Sequence, residues 1–281
     1  MHADFDELFP ADPRGALHDL MSGAIGTPFK LKRNSSVYIV ATAQGTCYLK
    51  RSEHQGPRSI LRHLLRGRRA HTDCGWEYRS MLALRSLDYR VAEPLAFGEE
   101  SWLKFWPTRG FLLVRRVAGM ELHELWKSTD SPRARVAVMH SVGAYMGKLH
   151  GGGFRHAPRI HDFLYMIEPG GTGMQLTMID VDLKGLPPTP QLCSLTDLTT
   201  ALAQACFLFL RVGYRTNGPE SRRFLRSYKS ALVESGTDLP RNWTRLVCAE
   251  LDRKLRYLHE SAQRRKLFPL APRSLKDASG R

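Results

Sequence analysis

The stretch Gly153–Asp182, GFRHAPRIHDFLYMIEPGGTGMQLTMIDVD, constrains this chain more than any other part of it. A helical pattern ends at Leu149-His150, and a glycine-rich break follows. Next come a polar loop with His156 and Asp162, an apolar run from Phe163 to Ile167, a glycine turn, and a second apolar run ending at Asp180. Loop, short hairpin and terminal acid bring two carboxylates towards one place. Transfer of a phosphoryl group from ATP needs Mg²⁺ held between phosphates, and two oxygen ligands from adjacent loops can hold it. Asp162 and Asp180 are the candidate ligands. An acid at a strand end also serves as a helix cap, but no helical pattern starts at Val181-Asp182, so metal binding is favoured. Aspartate at 162 can do what asparagine would, since both offer oxygen to a hard cation.

Upstream, the pattern is that of a small sheet. Phe29–Arg33, Val37–Ala43 and Thr46–Lys50 read as strands, with Asn34-Ser35-Ser36 and Gln44-Gly45 as turns. A helix is expected over Gly75–Leu87, where Glu77, Met81 and Leu84 share a face. Val91–Leu95 and Phe111–Val114 add two strands, giving five strands and one helix. Residues 1–27 read as a leader with a weak helical pattern around Ala16–Met21. From Leu122 the chain turns helical: Leu122–Trp126, then Pro132–His150, then three stripes. The stripes are Leu195, Leu198, Leu202 and Cys206; Phe224, Tyr228 and Leu232; and Val247, Leu251, Leu255 and Leu258. The expected organisation is an α+β chain with a β lobe at 28–117, a helical lobe at 118–268 carrying the catalytic and metal loops, and a flexible tail at 269–281.

Lys50, in the tract CYLKR, closes the third predicted strand, and Glu77 follows on the predicted helix. In a kinase such a lysine contacts the α- and β-phosphates and pairs with a helix glutamate. Ser35 and Ser36 occupy the place of a phosphate-covering loop; small polar residues there bring N–H groups near phosphate, or simply form a hairpin turn. Arg116 and Val117, after the fifth strand, take the place of the hinge that receives adenine. His156 and His161 read as loop-structuring residues.

Five scattered cysteines without a CxxC pair argue against a zinc site or disulfide framework and for a reducing compartment. The acidic N-terminus lacks the apolar core of a signal peptide, and no apolar run approaches a membrane span, so a cytoplasmic protein is expected. The net charge of +15 has one source in Gln55–Ala70, with five arginines and no acid. That run, Arg58–Arg69, is either a solvated helix or a peripheral contact with an anionic inner membrane or a phosphorylated glycan. Nucleic acid is disfavoured for want of aromatic interleaving or a known motif.

Several tracts together resemble the bacterial lipopolysaccharide core kinases, the heptose and Kdo kinases of the protein-kinase-like superfamily. They are YLKR, WEYRSMLALRSL, VAEPLAFGE, KLHGGGFRH, HDFLYM, MIDVDLKG, Leu195-Thr196-Asp197-Leu198 and Arg223–Tyr228, within Lys32–Tyr228. The resemblance implies a bilobal fold and ATP- and Mg²⁺-dependent phosphorylation of a sugar hydroxyl on a lipid-anchored glycan at the cytoplasmic membrane face. It carries over to Lys50 for phosphates, Glu77 as its partner, and Asp162 and Asp180 for metal. One departure stands out. Members of the family carry an aspartate shortly after the loop histidine, whereas this chain has Ala157-Pro158 after His156. Neither accepts a proton, so the chain is either a slow or rewired kinase, with Asp162 as base, or a nucleotide-binding pseudokinase.

Overall fold

The computed structural model describes residues 5–23, 25–32, 34–53, 61, 71–102, 106–154, 160–167, 174–181, 194–211 and 218–267. Arg58, Arg62, Arg66, Arg68, Arg69, His156, Ala157, Pro158 and the tail from 268 lie outside them. Contacts divide the chain into two units: Met1–Arg135 with His161–Thr189, and Val136–Ile160 with Pro190–Arg281.

In the first unit, β1 (Thr27–Lys32), β2 (Ser35–Thr42), β3 (Gly45–Glu53), β4 (Pro94–Trp102) and β5 (Trp106–Arg115) form an antiparallel sheet in the order β1-β2-β3-β5-β4. The expected strand count holds, but the boundaries move. Lys50 lies inside β3, which runs on to Glu53, because its ladder with β5 continues through Glu53↔Arg109. Ser35 and Ser36 belong to β2 and not to the turn. The fourth strand begins at Pro94, since Val91 makes only an isolated bridge to Met178. The helix α3 spans Asp73–Arg85, two residues earlier than its apolar face alone suggested, because Thr72 caps it by accepting from Gly75 N–H at 3.1 Å.

One face of the sheet carries Val40, Cys47, Leu49, Phe111 and Leu113, and the supposed leader covers it. Leu8 from α1 (Phe5–Leu8) and Leu20 from α2 (Pro13–Ser22) are fully buried in that cluster. Burying one leucine contributes roughly 1.5–3 kcal/mol. Local chemistry starts and ends α2: Asp12 accepts from Gly15 N–H at 2.9 Å, Pro13 opens the first turn, and Gly23 closes it at φ 99°. Arg51 then reaches across from β3. Its Nε donates to Leu20 O at 2.6 Å and its Nη2 to Asp19 O at 2.8 Å, while the guanidinium lies 4.6 Å from the Tyr38 ring centroid. The N-terminal segment is therefore part of the core of this unit.

A second sheet, β6 (Met120–Glu121), β7 (Phe163–Ile167) and β8 (Met174–Met178), holds the hairpin that the sequence indicated. Helix α4 (Leu122–Ser128) follows β6. In the second unit are most of α5 (Pro132–Gly151), then α6 (Leu195–Arg211), α7 (Gly218–Glu234) and α8 (Trp243–Leu267). Gly143 and Gly147 let α5 approach α7 closely: a Cβ at these positions would sit 2.5 Å from Phe224 O and 2.4 Å from Tyr228 O. Buried His150 completes the contact, its Nδ1 2.7 Å from the Tyr228 hydroxyl. Among the described residues no helix is long and apolar enough to cross a membrane.

Candidate active site

Lys50, Glu77, Asp162, Ile179 and Asp180 all belong to the first unit. Residues opposite one another in an antiparallel ladder share a face. Lys50 therefore shares its face with Val37 and Leu112, away from the face buried by α2. From there its Nζ meets Glu77 Oε1 of α3 at 2.5 Å, donates to Ile179 O at 3.3 Å, and lies 3.9 Å from Asp180 Oδ1. Burial pushes the Lys50 ammonium towards neutrality, but attraction to Glu77 and then Asp180 outweighs it, and the pKa stands above its usual value. The lysine is charged at neutral pH.

Three local arrangements hold this cluster. The first turn of α3 is tied to β4: Glu99 accepts from Thr72 N–H at 2.6 Å and sits 3.0 Å from His71 Nδ1. That clamp lies about one turn before Glu77 and fixes where its carboxylate arrives. Ile179, next to Asp180, donates its N–H to Asp162 O at 2.8 Å, so the loop before β7 and the loop after β8 are joined. Met178 donates to Arg90 O at 3.1 Å and accepts from Ala92 N–H at 2.9 Å, which anchors β8 beside the segment leading into β4.

The two carboxylates differ. Asp162 closes a 3₁₀ turn, Ile160–Asp162, and is 2% exposed; Asp180 is 43% exposed beside Lys50. Among the described residues no group of three or more His, Cys, Asp and Glu side chains forms a protein-only metal cage. Mg²⁺ does not require one. It keeps several waters and takes one or two carboxylates together with phosphate oxygens. An accessible carboxylate next to a fixed ammonium suits that donor set.

Of the residues singled out in the sequence, the structure gathers Lys50, Glu77 and Asp180 directly, and Asp162 through its backbone. The register puts Ser35 on the Lys50 face, opposite Ser52, but turns Ser36 to the Arg51 face. Arg116 follows β5, its N–H donating to Thr46 O at 3.0 Å. Arg116 and Val117 line a concavity of about 510 Å³ with Arg85, Tyr89, Arg90 and Glu93, and none of Lys50, Glu77 and Asp180 lines it. His161 packs on His123 with ring centroids 4.5 Å apart, and its Nδ1 lies 3.6 Å from Glu121 Oε2. Sequence reasoning missed Arg51 and the His71–Glu99 clamp. Strand alternation, which sends Lys50 and Arg51 to opposite faces, was the available signal for the first.

The model of the lipopolysaccharide kinase (Kdo/WaaP) family matches residues 32–199. Among solved structures, the chain is similar to WaaP in complex with acyl carrier protein, at 17% identity and a TM-score of 0.60 over 92% of this chain and 98% of that one. It also aligns with a crystal structure of the Rio2 kinase from Chaetomium thermophilum in its ADP/Mg2+-phosphoaspartate complex, at 16% identity and a TM-score of 0.44, over 90% and 77% of the two chains. No curated protein matches the chain. The first structural likeness, at low identity, speaks to fold: this is a protein-kinase-like α+β fold with a five-stranded antiparallel sheet and helix, followed by a mostly helical part.

Proposed function

The chain belongs to the lipopolysaccharide kinase (Kdo/WaaP) family, and from that premise we propose that it is an ATP- and Mg²⁺-dependent kinase acting on a sugar hydroxyl of a lipopolysaccharide-like glycolipid. The observation that carries the reading is the Lys50–Glu77–Asp180 cluster. Bound Mg·ATP supplies the phosphoryl group and offsets its charge. In this reading Lys50, oriented by Glu77, holds the α- and β-phosphates, and Asp180 and Asp162 hold the metal. Residues 28–117 form the nucleotide-binding part, with the catalytic and metal loops in 118–268. The protein works in the cytoplasm, with Arg58–Arg69 as a peripheral contact to an anionic inner membrane that keeps it near a lipid-anchored acceptor.

A second reading has its own observation. Ala157 and Pro158 stand where a proton acceptor is expected, and Asp162 is almost wholly buried. Loss of a general base costs about 10²–10⁴ in rate, which leaves either a slow kinase or a nucleotide-binding pseudokinase. Incubation with radiolabelled ATP, Mg²⁺ and lipopolysaccharide lacking core phosphate separates the two. Label on the glycan that disappears in Lys50→Met supports the kinase. Tight Mg·ATP binding without label on the glycan overturns catalysis and leaves the binding protein.

A further inference from the structure

The β1–β2 hairpin has none of the glycines with which a glycine-rich loop covers phosphates. Lys32 pairs with Ser35, so only two residues separate the strands, and they are Arg33 and Asn34. A loop that folds over a nucleotide offers several free backbone N–H groups. Here Lys32 and Ser35 are already ladder partners, and the sequence from Thr27 to Thr42 holds no glycine to free the backbone for such a fold. Side chains must supply any positive charge on that side of the site.

The register of β1 provides it. Pro28 opposes Tyr38 and Lys30 opposes Val37, so Phe29 is an extra, bulged residue. A bulge of one residue reverses which face the following side chains take. Beyond it, Lys30 shares a face with Val37 and so with Lys50, and Lys32 shares that face with Ser35 and Ser52. Without the bulge both lysines would lie on the Arg51 face. The Phe29 ring lies on that face too, 5.6 Å from that of Tyr48. The whole of β1 is exposed, and among the described residues neither lysine has an ion-pair partner. Lys30 and Lys50 stand two strand spacings apart, roughly 10 Å between backbones. Two flexible lysine stems can converge on one polyanion across that gap.

We propose that Lys30 and Lys32, turned onto the Lys50 face by the bulge at Phe29, bind the phosphates of the nucleotide in place of a glycine-rich loop. The proposal rests on the nucleotide-binding reading above. It makes phosphate recognition a matter of side-chain charge, so affinity should rise with phosphate number and fall steeply with salt.

Calorimetric titration of the full chain with Mg·ATP and with AMP, at low and moderate salt, tests it. The variants are Lys30→Gln/Lys32→Gln and Lys30→Arg/Lys32→Arg. Both side chains are exposed on an edge strand, and an unchanged circular-dichroism melt checks that the variants fold. Removing two partly solvated phosphate contacts should weaken Mg·ATP binding about tenfold. AMP affinity should stay constant, the salt dependence should flatten, and the arginine pair should restore binding. Unchanged Mg·ATP affinity in the folded glutamine variant, or an equal loss for AMP, overturns the proposal. Failure of the wild type to bind Mg·ATP at all overturns the nucleotide reading itself, and this proposal with it.

Discussion

Replacing Arg51 by methionine should loosen the N-terminal helices from the sheet. Methionine keeps much of the apolar stem contact but removes the donors. Two charge-assisted hydrogen bonds, to Leu20 O and Asp19 O, are lost, and each is worth about 1.5–3 kcal/mol. The stacking on Tyr38 adds about 0.5–2 kcal/mol. Against this stands the desolvation of a guanidinium only 4% exposed, which lowers its pKa and which the substitution relieves. The net expectation is a loss of about 3 kcal/mol, felt first at α2, where Leu20 O loses the Arg51 donor and Asp19 O keeps only the N–H of Gly23. Hydrogen exchange resolved by peptide, with urea denaturation beside it, reads this directly. Protection over residues 13–22 should fall about a hundredfold or more, with a lower urea midpoint, and Arg51→Lys should lie between. Unchanged protection there would refute the assignment of α1 and α2 to the core of this unit.

Other outcomes follow from the same geometry. Burial pushes the Glu99 carboxyl up, but hydrogen bonds from His71 and Thr72 outweigh it and hold its pKa below the usual value. A depressed carboxyl adds stability that is present above its unfolded pKa, near 4.3, and is lost as pH falls through the folded one. Glu99→Gln should therefore lower the melting temperature at pH 7 and flatten its fall in acid; parallel acid limbs in the two proteins would count against the clamp. Gly147→Ala should destabilise the second unit by about 1–3 kcal/mol, because the methyl group meets the Tyr228 carbonyl and side-chain movement cannot clear it. Hydrogen exchange over α5 and α7 together with a thermal melt would show it, and a neutral result would mean that α5 and α7 do not need this close approach.

The features most legible in the sequence were those set by local pattern. The hairpin from Phe163 to Met178 follows from two apolar runs and a glycine turn, and β-branched residues marked β2. Lys50 and Glu77 could be matched because a strand lysine followed by a helix glutamate is a two-element pattern. What escaped notice depends on tertiary contact. Leu8 and Leu20 are too far apart in sequence to form a helical stripe, and only the sheet face beneath them explains their burial. Strand ends moved because ladder partners extend strands past their apolar residues, as at Arg51–Glu53. The roles of Ser35 and Ser36 split because one residue of register separates two faces. The bulge at Phe29 has no glycine to announce it, so the placement of Lys30 and Lys32 appears only in the pairing.

The most direct test of the account is nucleotide affinity measured with and without Mg²⁺ in the wild type and in Asp180→Asn. Asp180 faces solvent beside Lys50, so the substitution should leave the fold intact and remove a carboxylate from the proposed metal site. The account predicts that ATP without metal binds both proteins alike, or the variant slightly tighter, since a negative charge has gone. It predicts that Mg·ATP binding falls roughly tenfold or more, the scale at which even outer partners of metal sites act. Affinities equal between the two proteins, both with and without magnesium, would contradict it.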